Sequence, residues 1–151
     1  MTEEQRALDL SYKALNRRER TVGELRIHLE GKLVEPAAID AAIAALEQGG
    51  FLNDARFAQR FTEDKRTLAF WGSERIEREL LRRGIAPDLA EETLATLDHE
   101  DELDTALALL ADKVREPPAD DRDRDRAWRM LVRKGYAPEL AYAAVWAHSA
   151  R

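Results

Sequence analysis

The sequence contains no cysteine, and this absence excludes disulfide bonds, thiolate nucleophiles and cysteine-ligated metals. Glycine and proline are also scarce, with 7 and 5 residues among 151, so long loops are not expected. No apolar run approaches the roughly 18 residues that a membrane span needs, and the polar start at residues 1–6 is unlike a secretory signal. We therefore expect a soluble, cytoplasmic protein.

Patterns typical of catalysis or metal binding are missing as well. His28, His99 and His148 stand far apart with no ligand-type spacing, so each is interpreted as a surface residue. The chain has no Gly-rich phosphate loop and no serine in the setting of a nucleophile. We predict that the protein is not an enzyme and that it has no cofactor and no metal site.

Charge is what the chain has in abundance. Charged residues make up 36% of it, and the formal net charge is −6. This balance repels phosphate, so binding to nucleic acid would need local patches of positive charge. Much charge beside an ordinary apolar fraction of 44% is typical of long amphipathic helices or an extended shape.

The chain repeats itself with a period of 51 residues. A leucine and a proline recur together at Leu29 and Pro36, at Leu80 and Pro87, and at Leu131 and Pro138. A period near 50 with helical patterning indicates three short helices per copy. We predict an all-α fold of three tandem three-helix units that form an elongated, curved stack. The first, second and third units are predicted at residues 1–50, 51–98 and 99–151.

The ends of the helices can be predicted from caps and breaks. The predicted helices cover residues 3–17, 21–32, 36–48, 53–69, 73–83, 87–97, 100–115, 121–134 and 138–149. Gly84 and Gly135 follow basic last turns, where a left-handed residue commonly ends a helix. Leu33 stands at the equivalent place in the first unit, so that hairpin is expected to turn differently. Thr21 is expected to cap the second helix of the first unit.

Apolar residues at helical spacing predict the buried face of the third helix in each unit. They are Ala38, Ile39, Ala42, Ile43 and Leu46, then Leu89, Ala90, Leu94 and Leu97, then Leu140, Ala141, Ala144 and Val145. Three aromatic residues, Phe51, Phe57 and Phe61, are expected to pack between units.

Arginine recurs on the second helix of the last two units, and we call this set the arginine ridge. Its members are Arg75, Arg78 and Arg82 in the second unit and Arg126, Arg129 and Arg133 in the third. Arg83 and Lys134 correspond to each other at the same spacing of 51 residues. The first unit lacks the ridge and has a different basic cluster, which consists of Arg17, Arg18 and Arg20 with Arg26 nearby.

These basic residues have two interpretations. One is a solvated face with i,i+4 ion pairs worth about 0.3–0.5 kcal/mol each. Its predicted pairs are Glu74–Arg78, Glu79–Arg83 and Asp125–Arg129. The other is a partner-binding surface that meets carboxylates or phosphates. Spacing alone favours the first interpretation and leaves the second open.

Several segments resemble signature sequences of the RecX family of recombination regulators. Residues 50–58, GFLNDARFA, resemble the start of that family's second unit, and residues 72–85, GSERIERELLRRGI, continue the likeness. Residues 17–25 resemble the first-unit motif and residues 131–136 the third-unit motif. The resemblance covers nearly the whole chain.

The resemblance implies a function in homologous recombination and DNA repair. Proteins of this family bind the RecA–DNA filament and restrain its growth, ATP hydrolysis and strand exchange. The implied partner is therefore the RecA filament, with weak DNA contact inside it. A helical protein that binds DNA directly is an alternative. A helical scaffold for another protein is a third possibility.

Overall fold

The computed structural model describes residues 1–150, which form nine α-helices and contain no strand. The helices are α1 (Glu3–Arg17), α2 (Val22–Gly31), α3 (Pro36–Gln48), α4 (Asp54–Thr67), α5 (Ser73–Arg82), α6 (Pro87–Ala95), α7 (His99–Lys113), α8 (Asp121–Lys134) and α9 (Pro138–Ser149). The predicted all-α fold is confirmed, and each predicted end lies within about two residues of the observed one. Across residues 1–150, no helix combines the length and the apolar character that crossing a bilayer requires.

Capping residues explain where the helices begin. Thr21 caps α2, as predicted: its hydroxyl accepts from the Glu24 N–H at 3.0 Å, and the Glu24 carboxylate accepts from the Thr21 N–H at 3.1 Å. Asn53 caps α4 by accepting from the Arg56 N–H at 2.9 Å. The third helix of each unit instead begins at a proline, whose missing N–H would have no partner there.

The turn after the second helix has the same left-handed form in all three units. The φ angles of Leu33, Gly84 and Gly135 are 60°, 90° and 104°. The residue after each of them donates its N–H to the carbonyl five residues back, in the pairs Val34–Leu29, Ile85–Leu80 and Tyr136–Leu131. The expectation that Leu33 would turn its hairpin differently is wrong. A second hydrogen bond, from the Leu33 N–H to Glu30 O, completes the turn and offsets the roughly 1–2 kcal/mol cost of a left-handed leucine.

Each unit has an apolar core of its own. The largest buried side chains are Leu25, Leu29, Ile39 and Leu46 in the first core, Phe57, Ile76, Leu80 and Ile85 in the second, and Leu110, Leu131, Tyr136 and Leu140 in the third. The stripes predicted on α3 and α9 are buried throughout. On α6 only Ala90 is fully buried, while Leu89 and Leu94 pack half-buried against the second core.

Phe51, the first residue of the predicted second unit, contacts the first unit: it is 56% exposed and meets the edge of Tyr12, with ring centroids 5.3 Å apart. The placements predicted for Phe57 and Phe61 and for His148 are wrong. Phe57 and Phe61 pack in the core of the second unit. His148 is not a surface residue: it is 5% exposed, and its Nε2 lies 2.7 Å from Val114 O, which ties the end of α9 to the end of α7.

The units meet through the ends of their second helices, α2, α5 and α8. At the first junction, the Thr21 hydroxyl at the start of α2 donates to Arg83 O at the end of α5, at 2.6 Å. At the second junction, the Gly72 N–H at the start of α5 donates to Lys134 O at the end of α8, at 2.8 Å. Thr21 and Gly72 are 51 residues apart, and so are Arg83 and Lys134, so both junctions use the same positions of the repeat.

The helices α8, α5 and α2 therefore follow one another head to tail. The carbonyls that a helix leaves unpaired at its C-terminus accept from donors at the N-terminus of the next helix. The Glu74 N–H, for example, donates to Gly135 O at 3.0 Å. This order also brings the negative end of one helix dipole against the positive end of the next, which is a favourable arrangement.

The two junctions differ in how closely the chains approach. A Cβ atom on Gly72 would lie 2.5 Å from backbone atoms of Gly135 and Tyr136, which no real side chain tolerates. A Cβ on Gly23, at the first junction, would lie 3.3 Å from the Cα of Gly84. Glycine is therefore required at position 72, whereas the first junction leaves slightly more room.

The end-to-end arrangement exposes much surface for a chain of this size. The accessible surface is 9317 Å², whereas a compact protein of 17.2 kDa is expected to expose about 7,800 Å². The excess agrees with the predicted elongated shape, in which three small cores replace one large core.

We predict that Gly72→Ala destabilises the protein by about 1–3 kcal/mol, because the added methyl group forces the second junction apart. Gly72 has φ of −83°, which alanine adopts without strain, so the effect reports the contact alone. Gly31→Ala is the matched control, since nothing lies within 4 Å of its Cβ position. Urea unfolding measures both variants. Equal stability of Gly72→Ala and Gly31→Ala would contradict the tight junction.

Candidate partner-binding surface

The arginine ridge is largely exposed, and it follows the column of second helices. Arg78 and Arg82 on α5 are exposed, as are Arg126, Arg129 and Arg133 on α8. Because α8 and α5 meet end to end, the ridge continues from the third unit onto the second. Arg75, its remaining member, is half-buried at the second junction.

Ion pairing divides the exposed members of the ridge into two groups. Arg129 pairs with Asp125 at 2.9 Å, as predicted, but Glu79 pairs with Arg82 and not with Arg83. The hydrogen bond from Arg82 holds the pKa of Glu79 below its usual value. Within residues 1–150, no carboxylate lies within ion-pair distance of Arg78, so the predicted Glu74–Arg78 pair is not formed. The same is true of Arg126 and Arg133 in that part of the chain. These three guanidinium groups are therefore available to a partner.

Arg83 is engaged at the first junction. Its Nε and Nη2 atoms both lie 3.2 Å from the carboxylate of Glu24 in the preceding unit, and the side chain is 19% exposed. The guanidinium also lies over the ring of Phe57, 4.6 Å from its centroid. Arg83 thus makes a fork-shaped ion pair that links the first two units, and a cation–π contact within its own unit holds the guanidinium in place for that pair.

The second junction uses its basic residues in another way. Lys134, the counterpart of Arg83, donates from Nζ to Ala69 O at 3.3 Å. Arg75, the counterpart of Glu24, stacks on Trp71 with its guanidinium 4.0 Å from the ring centroid. The positions that hold Glu24 and Arg83 at the first junction hold two cations, Arg75 and Lys134, at the second. Because these two cations repel each other, each contacts a separate partner.

The basic cluster of the first unit is not a single surface. Arg20 donates to Ala14 O at the end of α1, at 3.3 Å. Arg18 lies 3.7 Å from Glu24, and Arg26 pairs with Asp40 at 2.9 Å. Arg17 is exposed in the last turn of α1. These four residues are therefore distributed among a helix end, a junction and two exposed positions.

Glu24 is the electrostatic centre of the first junction. Burial alone would raise the pKa of its carboxyl group, but hydrogen bonds from Arg83 and from the Thr21 N–H, with the charges of Arg83 and Arg18, hold the pKa below its usual value. Burial raises the pKa of the neighbouring Asp54, against the hydrogen bond that this side chain accepts from the Val22 N–H at 2.9 Å.

Two open grooves lie beside these residues. One, of about 380 Å³, runs along α8 and is lined by Arg122, Asp125, Arg126, Arg129 and Arg133. The other, of about 640 Å³, lies between the first two units and includes Arg60, Phe61 and Lys65. Phe61 was predicted only as a packing residue, and Arg60 and Lys65 were not predicted to have a role. The spacing of Phe57, Phe61 and Lys65 along one side of α4 is the signal that could have found them.

The fold defines a tandem array of three-helix domains, and comparison with known proteins identifies the family. Models of the first, second and third three-helix domains of RecX match residues 7–46, 53–94 and 100–145. The chain belongs to the RecX family, as the resemblance of its motifs indicated.

Curated relatives agree with this assignment. Regulatory protein RecX of Deinococcus radiodurans is 35% identical over 148 residues, which cover 95% of this chain and 69% of the relative. Proteins of the same name from Clostridium botulinum and Streptomyces coelicolor are each 31% identical and are covered over 63% and 68% of their lengths. The chain thus spans about two thirds of the length of these relatives, which are named as regulatory proteins and not as enzymes.

Solved structures share the fold. The crystal structure of RecX from Lactobacillus salivarius superposes with a TM-score of 0.86 at 16% identity and covers 99% of this chain and 98% of that one. A second crystal structure of regulatory protein RecX gives a TM-score of 0.79, covering 96% of this chain and 72% of that one. Within residues 1–150, no group of three histidine or acidic side chains is placed to hold a metal ion.

We predict that Arg83→Met destabilises the protein by about 1.5–3 kcal/mol, because it leaves Glu24 half-buried without its partner. Arg82→Met is the matched control: Arg82 pairs within its own helix at the surface, so its loss should cost much less than the loss of Arg83. A double-mutant cycle with Glu24→Gln, measured by urea unfolding, isolates the coupling between Arg83 and Glu24. A coupling energy near zero would show that the ion pair contributes nothing to the junction.

The lowered pKa of Glu24 also predicts how the junction responds to acid. A carboxyl group whose pKa is lower in the folded state adds stability above its unfolded pKa and loses it as the pH falls through the folded value. The stability difference between the native protein and Glu24→Gln should therefore be greatest near pH 7 and should shrink below about pH 4.5. The raised pKa of Asp54 changes stability with pH in the opposite direction. Because Asp54 is present in both proteins, the difference between the native protein and Glu24→Gln reports Glu24. A difference that does not change between pH 7 and pH 3 would contradict this assignment.

Proposed function

We propose that this protein regulates homologous recombination by binding the RecA–DNA filament and restraining its ATPase and strand-exchange activities. Membership of the RecX family supports this function. The observation that carries the proposal is the recurrence of unpaired, exposed arginine in two consecutive units, at Arg78 on α5 and at Arg126 and Arg133 on α8.

The arrangement of the ridge suits a partner that itself repeats. Arg78 and Arg129 occupy the same position of the repeat, on helices that follow each other head to tail. A filament of identical subunits presents the same surface groups at regular intervals. Contacts that are weak one by one then add through effective concentration once the first is made.

The chemistry of the exposed members agrees with a protein surface rich in carboxylates. Arginine presents a planar fork that binds carboxylate or phosphate through two parallel hydrogen bonds. The overall charge of −6 disfavours approach to free DNA, so a local ridge that meets acidic protein groups is the arrangement this chain supports best. Arg75, Arg83 and Lys134 are engaged at the junctions and contribute by holding the column in shape.

We expect Arg78→Glu with Arg126→Glu, two unpaired members of the ridge, to weaken inhibition of RecA strand exchange roughly ten-fold or more, because reversed charges repel the acidic partner. The control is Lys13→Glu with Arg115→Glu, which changes the net charge equally at exposed positions outside the second helices. Strand exchange and the ATPase of RecA on single-stranded DNA are measured with each variant, and circular dichroism confirms its fold. Full inhibition by the ridge variant, or equal losses in both variants, would refute the role of the ridge.

Direct binding to DNA is the second candidate, and the groove between the first two units favours it. Arg60 and Lys65 beside Phe61 combine positive charge with an aromatic ring, as surfaces that bind single strands do. Affinity for single-stranded DNA without RecA, measured over a salt series, separates the two candidates. Tight binding with a steep loss at higher salt would favour direct DNA binding over the filament.

A further inference from the structure

The third unit carries an aromatic cleft beside the arginine ridge. It lies between the first turns of α8 and the outer side of α9, and its aromatic residues are Trp128, Tyr142 and Trp146. Tyr142 is 61% exposed and Trp146 is 45% exposed, with their ring centroids 6.2 Å apart and the ring planes at 60°. Large aromatic side chains left in contact with water on an outer face are unusual unless something covers them.

The chain itself shows which chemical group suits this cleft. The guanidinium of Arg124 lies over the ring of Trp146, 4.6 Å from its centroid. The same guanidinium pairs with Asp121 at 2.6 Å. The cleft thus binds a planar cation through an aromatic face on one side and a carboxylate on the other.

Arg124 is weakly held and does not fill the cleft. The Arg124 side chain is 20% exposed, but its carboxylate partner, Asp121, is 97% exposed, and an ion pair with such a partner contributes little. The remaining space is about 330 Å³, near the lower end of the range for ligand sites. Within residues 1–150 no cation lies over the ring of Tyr142, and Asp125, which also pairs with Arg129, lies at the edge of the cleft.

We propose that this cleft binds an arginine side chain of a partner protein, which takes the place of Arg124 or stacks beside it on Trp146 and Tyr142. The acidic edge formed by Asp121 and Asp125 repels phosphate, which disfavours a nucleic acid as the occupant. The flat aromatic faces favour the planar guanidinium over the compact, strongly hydrated ammonium group of lysine. The cleft adjoins the arginine ridge at Asp125, which pairs with Arg129, and it has the opposite preference for charge.

The probe that tests the proposal is N-acetylarginine amide, titrated into the full chain while NMR follows the indole N–H signals. We expect saturable shifts at Trp146, no comparable shifts at Trp71, and weaker binding of N-acetyllysine amide. Arg124→Gln should bind the probe about three- to ten-fold more tightly, because it removes the internal competitor. Trp146→Leu, which keeps an apolar side chain at this exposed position, should lose the binding.

Arg82→Gln is the matched control for Arg124→Gln, since it removes one positive charge from another pair of i,i+3 type on a helix surface. Its affinity for the probe should equal that of the native protein. Equal gains in the two variants would show a simple effect of net charge. That result, unchanged binding by Trp146→Leu, equally tight binding of the lysine probe, or the absence of saturable shifts would each overturn the proposal.

Discussion

The left-handed turn that ends each second helix is the constraint on which the rest of the structure depends. At Gly84 and Gly135 this turn exposes the last carbonyls of α5 and α8, and the next helix begins directly against them. The approach is so close that a methyl group at Gly72 would meet backbone atoms. Because each unit has only a small core of its own, these end contacts convert three marginal bundles into one column. The exposed arginines lie along one line because α8 and α5, the helices that carry them, follow one another in that column.

The junctions divide the basic residues into two kinds. Arg83 and Lys134 reach back to the preceding unit, where they hold Glu24 and Ala69 O. Arg78 and Arg126, one turn or more away from the junctions, make no such contact within residues 1–150. A single repeated pattern therefore serves cohesion at some positions and leaves others to a partner. The ion pair between Glu24 and Arg83 lies where water is partly excluded. It lowers the pKa of the Glu24 carboxyl group and fixes the position of the Arg83 side chain.

The fold could be predicted from the sequence because its signals are local. The prolines that begin the third helices, the Thr21 cap and the apolar stripes on α3 and α9 all act within a few residues. The role of Arg83 was also within reach, since it follows Leu80 by three residues and so shares the buried side of α5. The pairing of Arg83 with Glu24 could not be predicted, because that contact joins residues 59 positions apart and depends on how two units dock. His148 was misjudged for a similar reason, as its partner Val114 lies on another helix.

Leu33 has a consequence for how many units such a column can hold. It adopts the same left-handed turn as its two glycine counterparts, yet it carries a side chain that is 85% exposed. The corresponding Cβ would strike Arg75 at 2.3 Å in the second junction. Arg6 already donates to Lys32 O, the carbonyl equivalent to those of Arg83 and Lys134. A helix placed on α2 as α5 is placed on α8 would therefore meet the Leu33 side chain, and it would have to displace Arg6 from Lys32 O.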